Sequence, residues 1–239
     1  MISSEIWASL VSKALVLHSG GMDSSLCLAL AVDRFGVENV TSVGFCYGQR
    51  HSSELTAAGR IAEYFQVQRT VIDLPALPGW EVSSLINSDL AISQGDLPNS
   101  FVVGRNGLFL MMCAPLIKLM GIETVYVGVM ELEGANSGYP DCSRAYIDSV
   151  ESVIRRDIQN ASFEVATPLV QMTKLETLLL ADSLGVLDFL LQETVTCYEG
   201  IALLGCRSCP ACLLRNEAVE QFYQRFPEKI KEPFNTFLK

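Results

Sequence analysis

HSGGMDSSL, residues 18–26, is the stretch of sequence that decides the fold. It follows the apolar run Ala14–Leu17 and opens a second apolar stretch, so it lies where a buried strand passes into a helix. Its two glycines allow backbone N–H groups to approach a ligand closely, while serine hydroxyls and the helix N-terminus offer donors and partial positive charge. A tight turn with a helix cap is the simpler interpretation, but the position after a strand favours a phosphate-binding turn.

The segments after this turn alternate between strand and helix patterns, which is typical of a parallel sheet with helices on its faces. We therefore predict an α/β fold, with one domain over residues 1–190 and a smaller C-terminal extension over residues 191–239. Residues 75–104 contain three prolines and several turn signals, and are predicted to be either disordered or a loop over a site. The predicted strands are 15–18, 40–47, 70–74, 124–130 and 163–167. The predicted helices are 24–34, 51–65, 106–120 with a disturbance at Pro115, 143–158, and one from the capping box Thr173–Glu176 to near Gly185.

The composition of the chain excludes several classes of function. Of the 239 residues 49% are hydrophobic, so a full core can form and wholesale disorder is not expected. The net charge of −10 argues against broad affinity for nucleic acids or anionic membranes. No apolar run reaches the roughly 18 residues of a membrane span, and the N-terminus lacks the pattern of a signal peptide. We expect a cytoplasmic protein with no nucleic-acid or membrane partner.

Four of the eight cysteines lie close together near the C-terminal end, namely Cys197, Cys206, Cys209 and Cys212. Disulfides are not expected in a reducing compartment, so such a cluster points to metal binding or catalysis. Four thiolates satisfy a tetrahedral Zn²⁺ and leave no open position, which predicts a structural zinc site. A redox Cys-x-x-Cys pair explains fewer of the cysteines. An iron–sulfur cluster also satisfies the ligand count, but nothing else in the chain suggests electron transfer.

Asp23 is unexpected in a turn that binds phosphate, because its carboxylate repels the phosphate unless a divalent cation lies between them. We therefore predict that Asp23 is a ligand of Mg²⁺, directly or through water. The turn has neither the Gly-Lys-Ser/Thr ending of a Walker motif nor a G-x-G-x-x-G pattern. Ser19–Ser24 instead resembles the pyrophosphate loop of the ATP pyrophosphatases, which cleave ATP to AMP and pyrophosphate. The predicted ATP-binding residues are Leu17, His18, Ser19, Gly20, Gly21, Met22, Asp23, Ser24 and Ser25, although a core position is the simpler interpretation of His18.

The pyrophosphate loop and the cysteine cluster together resemble the 7-cyano-7-deazaguanine synthase family, QueC. The resemblance spans about residues 13–222 and implies the parallel-sheet adenine-nucleotide fold (HUP type) of the PP-loop ATP pyrophosphatases, with a C-terminal four-cysteine zinc region. Further matching stretches follow in order: Tyr47–His51 with Glu54, Phe101–Leu110, Ser137–Cys142, Thr167–Leu169 with Lys174 and Glu176, and Thr196–Gly200.

The same resemblance implies an activity. The carboxylate of 7-carboxy-7-deazaguanine is adenylated by ATP with Mg²⁺, ammonia displaces AMP to give the amide, and a second adenylation dehydrates the amide to the nitrile. The resemblance implies Asp23, Arg105 and Lys174 as catalytic residues, and a homodimer, since the family is often dimeric. The implied substrate-binding residues are Gln49, Arg50, His51, Arg105, Asn106, Glu131, Tyr139 and Asp141.

The chain departs from the family pattern where the base is expected to bind. Val103 stands where the family has Asp or Pro, residues 131–136 form a longer approach to the next motif, and Ser143 replaces an arginine. Such changes alter substrate discrimination. The alternative is therefore a QueC-like paralogue, in an anti-phage setting, that stops at the amide or joins the acyl group to another amine such as a protein N-terminus. A non-catalytic nucleotide sensor and a thiolation enzyme or amidotransferase are the other interpretations, and Asp23 argues against the sensor.

Overall fold

A five-stranded sheet, parallel throughout, forms the centre of the molecule in the order β3-β2-β1-β4-β5. The computed structural model describes residues 12–75, 77–93, 98–132 and 138–235. The strands are β1 (Ala14–Leu17), β2 (Val40–Cys46), β3 (Gln68–Asp73), β4 (Thr124–Val127) and β5 (Glu164–Ala166). The prediction of an α/β fold with a parallel sheet is confirmed.

Seven α-helices of the described ranges connect and cover the strands. They are α1 (Met22–Phe35), α2 (Ser53–Tyr64), α3 (Arg105–Met120), α4 (Arg144–Ile158), α5 (Lys174–Ser183), α6 (Leu187–Glu193) and α7 (Pro210–Arg225). Each predicted helix is present, with ends displaced by a few residues, and the predicted capping box of Thr173 and Glu176 opens α5. The sequence analysis did not predict α6, whose seven residues are too short to establish a helical period.

Two apolar layers cover the two faces of the sheet, because successive side chains of a strand point to opposite faces. Ala14 and Val16 of β1 pack with α1, α2, α5, α6 and α7, whereas Leu15 packs with α3 and α4 on the other face. Since β1 is buried on both faces, its sequence is a continuous apolar run. Helix α7 shares its apolar layer with α1 and α5, and the boundary between residues 190 and 191 stays a prediction.

Two strands differ most from their predicted bounds, β3 at its start and β4 at its end, and both differences have a physical reason. β3 begins at the polar Gln68 because it is the edge strand, whose residues are mostly exposed or half-buried and need no apolar pattern. β4 ends at Val127 because Gly128 lies against the first turn of α1. A Cβ atom at Gly128 would lie 2.8 Å from the carbonyl carbon of Asp23, so the chain leaves the sheet at this point.

Helix α3 continues from Arg105 to Met120 through Pro115, so the expected disturbance does not end it. Pro115 has no N–H for the helical hydrogen bond, but the buried side chains of Leu110, Cys113 and Ile117 hold the helix against the sheet. No helix in the described ranges combines the length and the apolar character that crossing a bilayer requires.

Substitution of Phe222 by alanine is expected to destabilise the protein by about 3–5 kcal/mol. The ring of Phe222 is fully buried in the apolar layer that α7 shares with α1 and α5. Urea denaturation followed by circular dichroism measures the change. The control is Leu119→Ala on α3, whose side chain is 82% exposed and whose loss is expected to change stability by less than about 0.5 kcal/mol. Equal effects of the two substitutions would contradict the packing of α7 on the core.

Candidate active site

A cavity of about 320 Å³ opens at the carboxyl edge of the sheet. Leu17, Phe45 and Val127 line it, and they lie at or near the carboxyl ends of β1, β2 and β4. Open parallel sheets bind their ligands at this edge, in the crevice where the strand order reverses. The cavity has a volume that suits a small-molecule ligand.

The loop between β1 and α1 forms one end of the cavity and is held in shape by its own serines. Ser24 Oγ accepts a hydrogen bond from the Ser19 amide at 3.2 Å, and Ser25 Oγ donates to the Gly21 carbonyl at 2.8 Å. Gly20 has a φ of +96°, and a Cβ atom there would lie 2.1 Å from the carbonyl oxygen of Glu54. Only glycine fits this position, so the loop packs backbone to backbone on α2.

His18 lies buried beneath this loop. Its Nδ1 is 3.0 Å from Ser42 Oγ and its Nε2 is 3.1 Å from Ser25 Oγ, so both ring nitrogens are engaged. Burial, together with the positive charge of Arg69, lowers the pKa of His18 to about 3, which keeps the ring neutral. Arg69 donates to Ser42 Oγ at 2.8 Å and to the His18 carbonyl at 3.2 Å. His18 lines the cavity, but its contacts are those of a support for the loop.

Asp23, in the first turn of α1 directly after the loop, forms an ion pair with Lys174, whose Nζ lies 2.6 Å from Asp23 Oδ2. Lys174 is the first residue of α5 and also contacts the sulfur of Met130. The other carboxylate oxygen, Asp23 Oδ1, is buried without a hydrogen-bond partner among the described residues. A buried carboxylate oxygen with an unused lone pair fits a Mg²⁺ ligand, so these residues are compatible with the predicted metal.

The cavity is also lined by a second group of charged and polar side chains, those of Arg105, Tyr47 and Glu54. Arg105 Nη1 donates to the Tyr47 hydroxyl at 3.4 Å. Burial lowers the pKa of Arg105, but Tyr47 and Asp141 raise it above its usual range, so the guanidinium stays charged. Burial raises the pKa of Glu54 to about 7, against the opposing effect of Arg105.

Three aromatic rings, those of Phe45, Tyr47 and Phe109, form part of the cavity wall. Phe45 and Phe109 stack with their centroids 4.1 Å apart and their planes within 5°. Tyr47 meets Phe109 edge to face at 5.2 Å. Such a wall offers contact area to a planar heterocycle, and the charged side chains of the cavity can fix the orientation of that heterocycle.

Most residues of the predicted ATP-binding and substrate-binding sets line this cavity. The members that do not line it are Gly20, Ser25, Glu131 and Asp141. The lining members of the two sets are Leu17, His18, Ser19, Gly21, Met22, Asp23, Ser24, Gln49, Arg50, His51, Arg105, Asn106 and Tyr139, together with the predicted catalytic Lys174.

Several of these side chains are occupied by contacts within the protein. Gln49 accepts from the Tyr47 amide at 2.8 Å and donates to the Phe45 carbonyl at 3.2 Å, so it shapes the turn after β2. Glu131 accepts from the Arg144 amide at 3.0 Å, at the start of α4. Unlike the capping box of Thr173 and Glu176, these contacts of Gln49 and Glu131 had no signal in the sequence.

Asp141 is buried and receives a hydrogen bond from the Asn106 amide at 3.4 Å. Burial raises the pKa of Asp141, while Arg105 acts in the opposite direction. It therefore supports the start of α3, where Arg105 and Asn106 lie, and acts on the cavity through them.

The four clustered cysteines converge as predicted, with their Sγ atoms all within 4.8 Å of one another. A tetrahedral zinc site with Zn–S bonds of about 2.3 Å separates its sulfurs by about 3.8 Å, which this arrangement fits. Backbone amides point at the sulfurs: those of Cys206 and Glu199 donate to Cys197 Sγ, both at 3.4 Å. The residues can therefore hold a metal ion.

The cysteine segment also forms part of the cavity wall. Val195 N donates to the Gly20 carbonyl at 3.0 Å, and the Met22 amide donates to Thr196 Oγ1 at 3.4 Å. Cys197 and Tyr198 line the cavity. The quoted motif Thr196–Gly200 indicated from sequence that this segment belongs to the site. It did not indicate the hydrogen bonds of Val195 and Thr196 to Gly20 and Met22.

Three loops meet at this wall through side-chain contacts. Tyr139 hydroxyl lies 2.8 Å from Ser100 Oγ and 2.9 Å from the Tyr198 hydroxyl. Arg50 forms an ion pair with Glu199 at 3.1 Å. The described parts of residues 75–104 therefore behave as a loop over the site.

The departures from the family pattern have structural roles where the structure describes them. Val103 is 66% exposed, and its carbonyl accepts from Trp80 Nε1 at 3.1 Å. Ser143 caps α4 by accepting from the Tyr146 amide at 3.2 Å. Neither residue lines the cavity. Of residues 131–136, positions 133–136 lie outside the described residues.

The sequence analysis assigned no role to several lining residues. Tyr47 and Glu54 belong to a quoted motif, so a signal for them existed. Phe109 also lines the cavity and lies in the quoted stretch Phe101–Leu110. Arg69 contacts His18 from the edge strand and lies in no quoted motif, so its position depends on the packing of distant segments.

Comparison with known proteins gives a family and a fold. A family model described as "Queuosine biosynthesis protein QueC" matches residues 13–223. NMN synthetase from Francisella tularensis is similar with a TM-score of 0.50 and 13% identity, over 97% of this chain and 84% of that one. The U34-tRNA thiolase NcsA from Methanococcus maripaludis matches 92% of this chain and 74% of that one, with a TM-score of 0.47 and 14% identity. At 13% identity the first likeness concerns the fold alone, and it agrees with the predicted PP-loop type of α/β fold.

Gly20→Ala is expected to abolish ATP binding, because the new Cβ atom would collide with the Glu54 carbonyl and force the loop to shift. Isothermal titration with ATP measures the loss. The matched control is Gly59→Ala in the middle of α2, where a Cβ atom meets nothing within 4 Å. That substitution is expected to stabilise the helix by about 0.5–1 kcal/mol and to leave binding unchanged. Normal ATP binding by Gly20→Ala would contradict the contact.

Cys212→Ser is expected to lose the bound metal, because a neutral serine hydroxyl is a far weaker ligand than a thiolate for a thiophilic ion. Metal content after dialysis, measured by mass spectrometry, tests this. Cys46→Ser is the control, since Cys46 lies outside the cluster and its loss is expected to leave the metal in place. Retention of stoichiometric metal by Cys212→Ser would rule out the four-cysteine site.

Proposed function

The chain belongs to the QueC family of queuosine biosynthesis proteins, which makes it an ATP-using enzyme, and we propose that it converts 7-carboxy-7-deazaguanine to 7-cyano-7-deazaguanine. The carboxylate oxygen of the substrate attacks the α-phosphate of ATP and displaces pyrophosphate. Ammonia then displaces AMP and leaves the amide. A second adenylation, on the amide oxygen, allows loss of AMP and formation of the nitrile.

One observation carries this proposal. The phosphate-binding loop, with Asp23 and Lys174 at its mouth, opens into the same cavity as Arg105 and the aromatic wall. A carboxylate is a poor acyl donor, because its oxygen is a poor leaving group until it is bonded to phosphorus. An enzyme that activates it must hold a nucleotide triphosphate and a carboxylate side by side, and this cavity has suitable groups for each.

Charge balance supports the same assignment of roles. A bound Mg²⁺ neutralises part of the charge of the pyrophosphate, and Asp23 Oδ1 is the atom suited to hold that ion. Lys174 pairs with Asp23 at the start of α1, directly after the loop, so it is suited to contact the phosphates during displacement. Arg105 is suited to bind the substrate carboxylate, because a guanidinium presents two parallel donors to a carboxylate.

We propose that Zn²⁺ occupies the four-cysteine site of the C-terminal extension, residues 191–239. Four thiolates complete a tetrahedral shell, so the ion has no open position for substrate and acts as a structural centre. Its role is to hold Cys197 and Tyr198 in the cavity wall. A visible absorption spectrum tests this assignment, because Zn²⁺ does not absorb visible light whereas an iron–sulfur cluster does.

The remaining assignments follow from the family and the composition. We propose a cytoplasmic homodimer that takes free ammonia as its nitrogen source and binds neither nucleic acid nor membranes. The net charge of −10 supports the absence of a nucleic-acid partner.

A second candidate function rests on the longer segment 131–136 before the Ser137–Cys142 motif. In this alternative the chain is a QueC-like paralogue that stops at the amide or transfers the deazaguanine acyl group to another amine, such as a protein N-terminus. The adenylation step and its residues are common to both candidates, and only the acceptor differs.

Incubation with ATP, Mg²⁺, 7-carboxy-7-deazaguanine and ammonium is expected to yield the nitrile, AMP and pyrophosphate, detected by mass spectrometry. Asp23→Asn is expected to lower pyrophosphate release by roughly 10²-fold or more, because it removes the carboxylate that holds the cation. The control Asp33→Asn changes an exposed aspartate of the same helix and is expected to have no effect.

The products discriminate between the candidates. Amide alone, or an adduct on a protein, would favour the paralogue and contradict synthesis of the nitrile. ATP binding without any release of pyrophosphate would contradict both candidates and favour a nucleotide sensor.

A further inference from the structure

Glu54 occupies a position in the cavity that none of the roles above uses. It lies in the first turn of α2, and its carbonyl oxygen packs directly on Gly20 of the phosphate-binding loop. Its side chain lines the cavity, near enough to Arg105 for the two charges to interact. Within the described part of the chain, no hydrogen bond or ion pair holds the Glu54 carboxylate, so its oxygens are available to a ligand.

The charged and titratable groups around Glu54 come from three directions. Arg105 of α3 and Tyr47, which follows β2, face it from the substrate end. The Asp23–Lys174 ion pair lies on the loop side. His51 lies three residues before Glu54 in the chain, and its Nε2 is 3.9 Å from Glu199 Oε2.

Glu54 is suited to accept and release a proton near neutral pH. Burial raises its pKa to about 7, while the positive charge of Arg105 limits the rise. A general base works best when its pKa lies near the operating pH, because it is then both deprotonated and basic enough to take the proton.

We propose that Glu54 is the catalytic base that accepts the proton lost by the amine when it attacks the acyl adenylate. The inference rests on the proposed function, but it is independent of which amine attacks. The amine nitrogen forms a bond to the carbonyl carbon, and the bond from that carbon to the AMP oxygen breaks. AMP leaves with the electron pair of that bond, and the proton from nitrogen passes to the Glu54 carboxylate and then to solvent.

The other candidate bases of the cavity are less suitable. Asp23 is paired with Lys174 at 2.6 Å, and Asp141 lies outside the lining. His18 has both nitrogens engaged, and its pKa of about 3 leaves it too weakly basic. His51 is the remaining rival, because its Nε2 is buried without a hydrogen-bond partner among the described residues.

The test separates adenylation from amide formation in Glu54→Gln, which keeps the shape of the side chain. Adenylation is measured as exchange of labelled pyrophosphate into ATP, with 7-carboxy-7-deazaguanine present and ammonium absent. Amide formation is measured from pre-formed acyl adenylate at a fixed concentration of free ammonia. We expect exchange within threefold of wild type and amide formation slower by roughly 10²–10⁴-fold. The control Glu63→Gln neutralises an exposed glutamate of the same helix and is expected to change neither rate.

The pH dependence provides a second readout. Since the base acts when deprotonated, the wild-type rate of amide formation is expected to rise as pH increases through about 7, and Glu54→Gln is expected to lose this rise. A parallel fall of exchange and amide formation would overturn the proposal, since it would make Glu54 a binding residue. Loss of the pH-dependent rise in His51→Gln with its retention in Glu54→Gln would assign the base to His51. Absence of exchange in the wild-type protein would overturn the proposed function, and the present inference with it.

Discussion

The structure depends on two places where backbone packs directly on backbone around the phosphate-binding loop. At Gly20 a Cβ atom would lie 2.1 Å from the Glu54 carbonyl oxygen, and at Gly128 it would lie 2.8 Å from the carbonyl carbon of Asp23. The loop is thereby held between the start of α2 and the end of β4. Because these contacts involve no flexible side chain, they fix the loop and α1 relative to both neighbours. The positions of Asp23, in the first turn of α1, and of Glu54, in the first turn of α2, follow from this constraint.

The cysteine segment is tied to the same loop. Val195 donates to the Gly20 carbonyl, and the chain then passes directly into Cys197, whose sulfur receives two backbone hydrogen bonds. Tyr198 continues the wall and meets Tyr139 across the cavity. A metal ion held by the four cysteines would therefore affect the cavity without touching its ligand, because the position of Cys197 determines where the wall and the loop meet. The C-terminal segment contributes to the active site as well as to stability.

Local patterns in the sequence predicted the parts of the fold that depend on neighbouring residues. The strand-to-helix alternation, the Thr173–Glu176 capping box and the convergence of the four cysteines are confirmed. The strand order β3-β2-β1-β4-β5 was not predicted, because periodicity describes each strand but not its neighbour. The same limit applies to Arg69, an edge-strand residue whose contact with His18 spans 51 positions of the chain. The family resemblance implied Glu131 as a substrate-binding residue, whereas its observed partners are the Arg144 amide of α4 and the Gln171 side chain.

Some residues around the cavity lie at the starts of helices, and others lie on loops. Asp23 and Lys174, proposed to face the nucleotide, lie at the starts of helices α1 and α5, whereas Tyr139, Arg50 and Ser100 lie on connecting loops. Loops accept substitutions and insertions that helix starts packed against a sheet do not. Under the proposed function, a change of acceptor therefore needs changes only in the loops, while the helix starts proposed to hold the nucleotide can stay as they are.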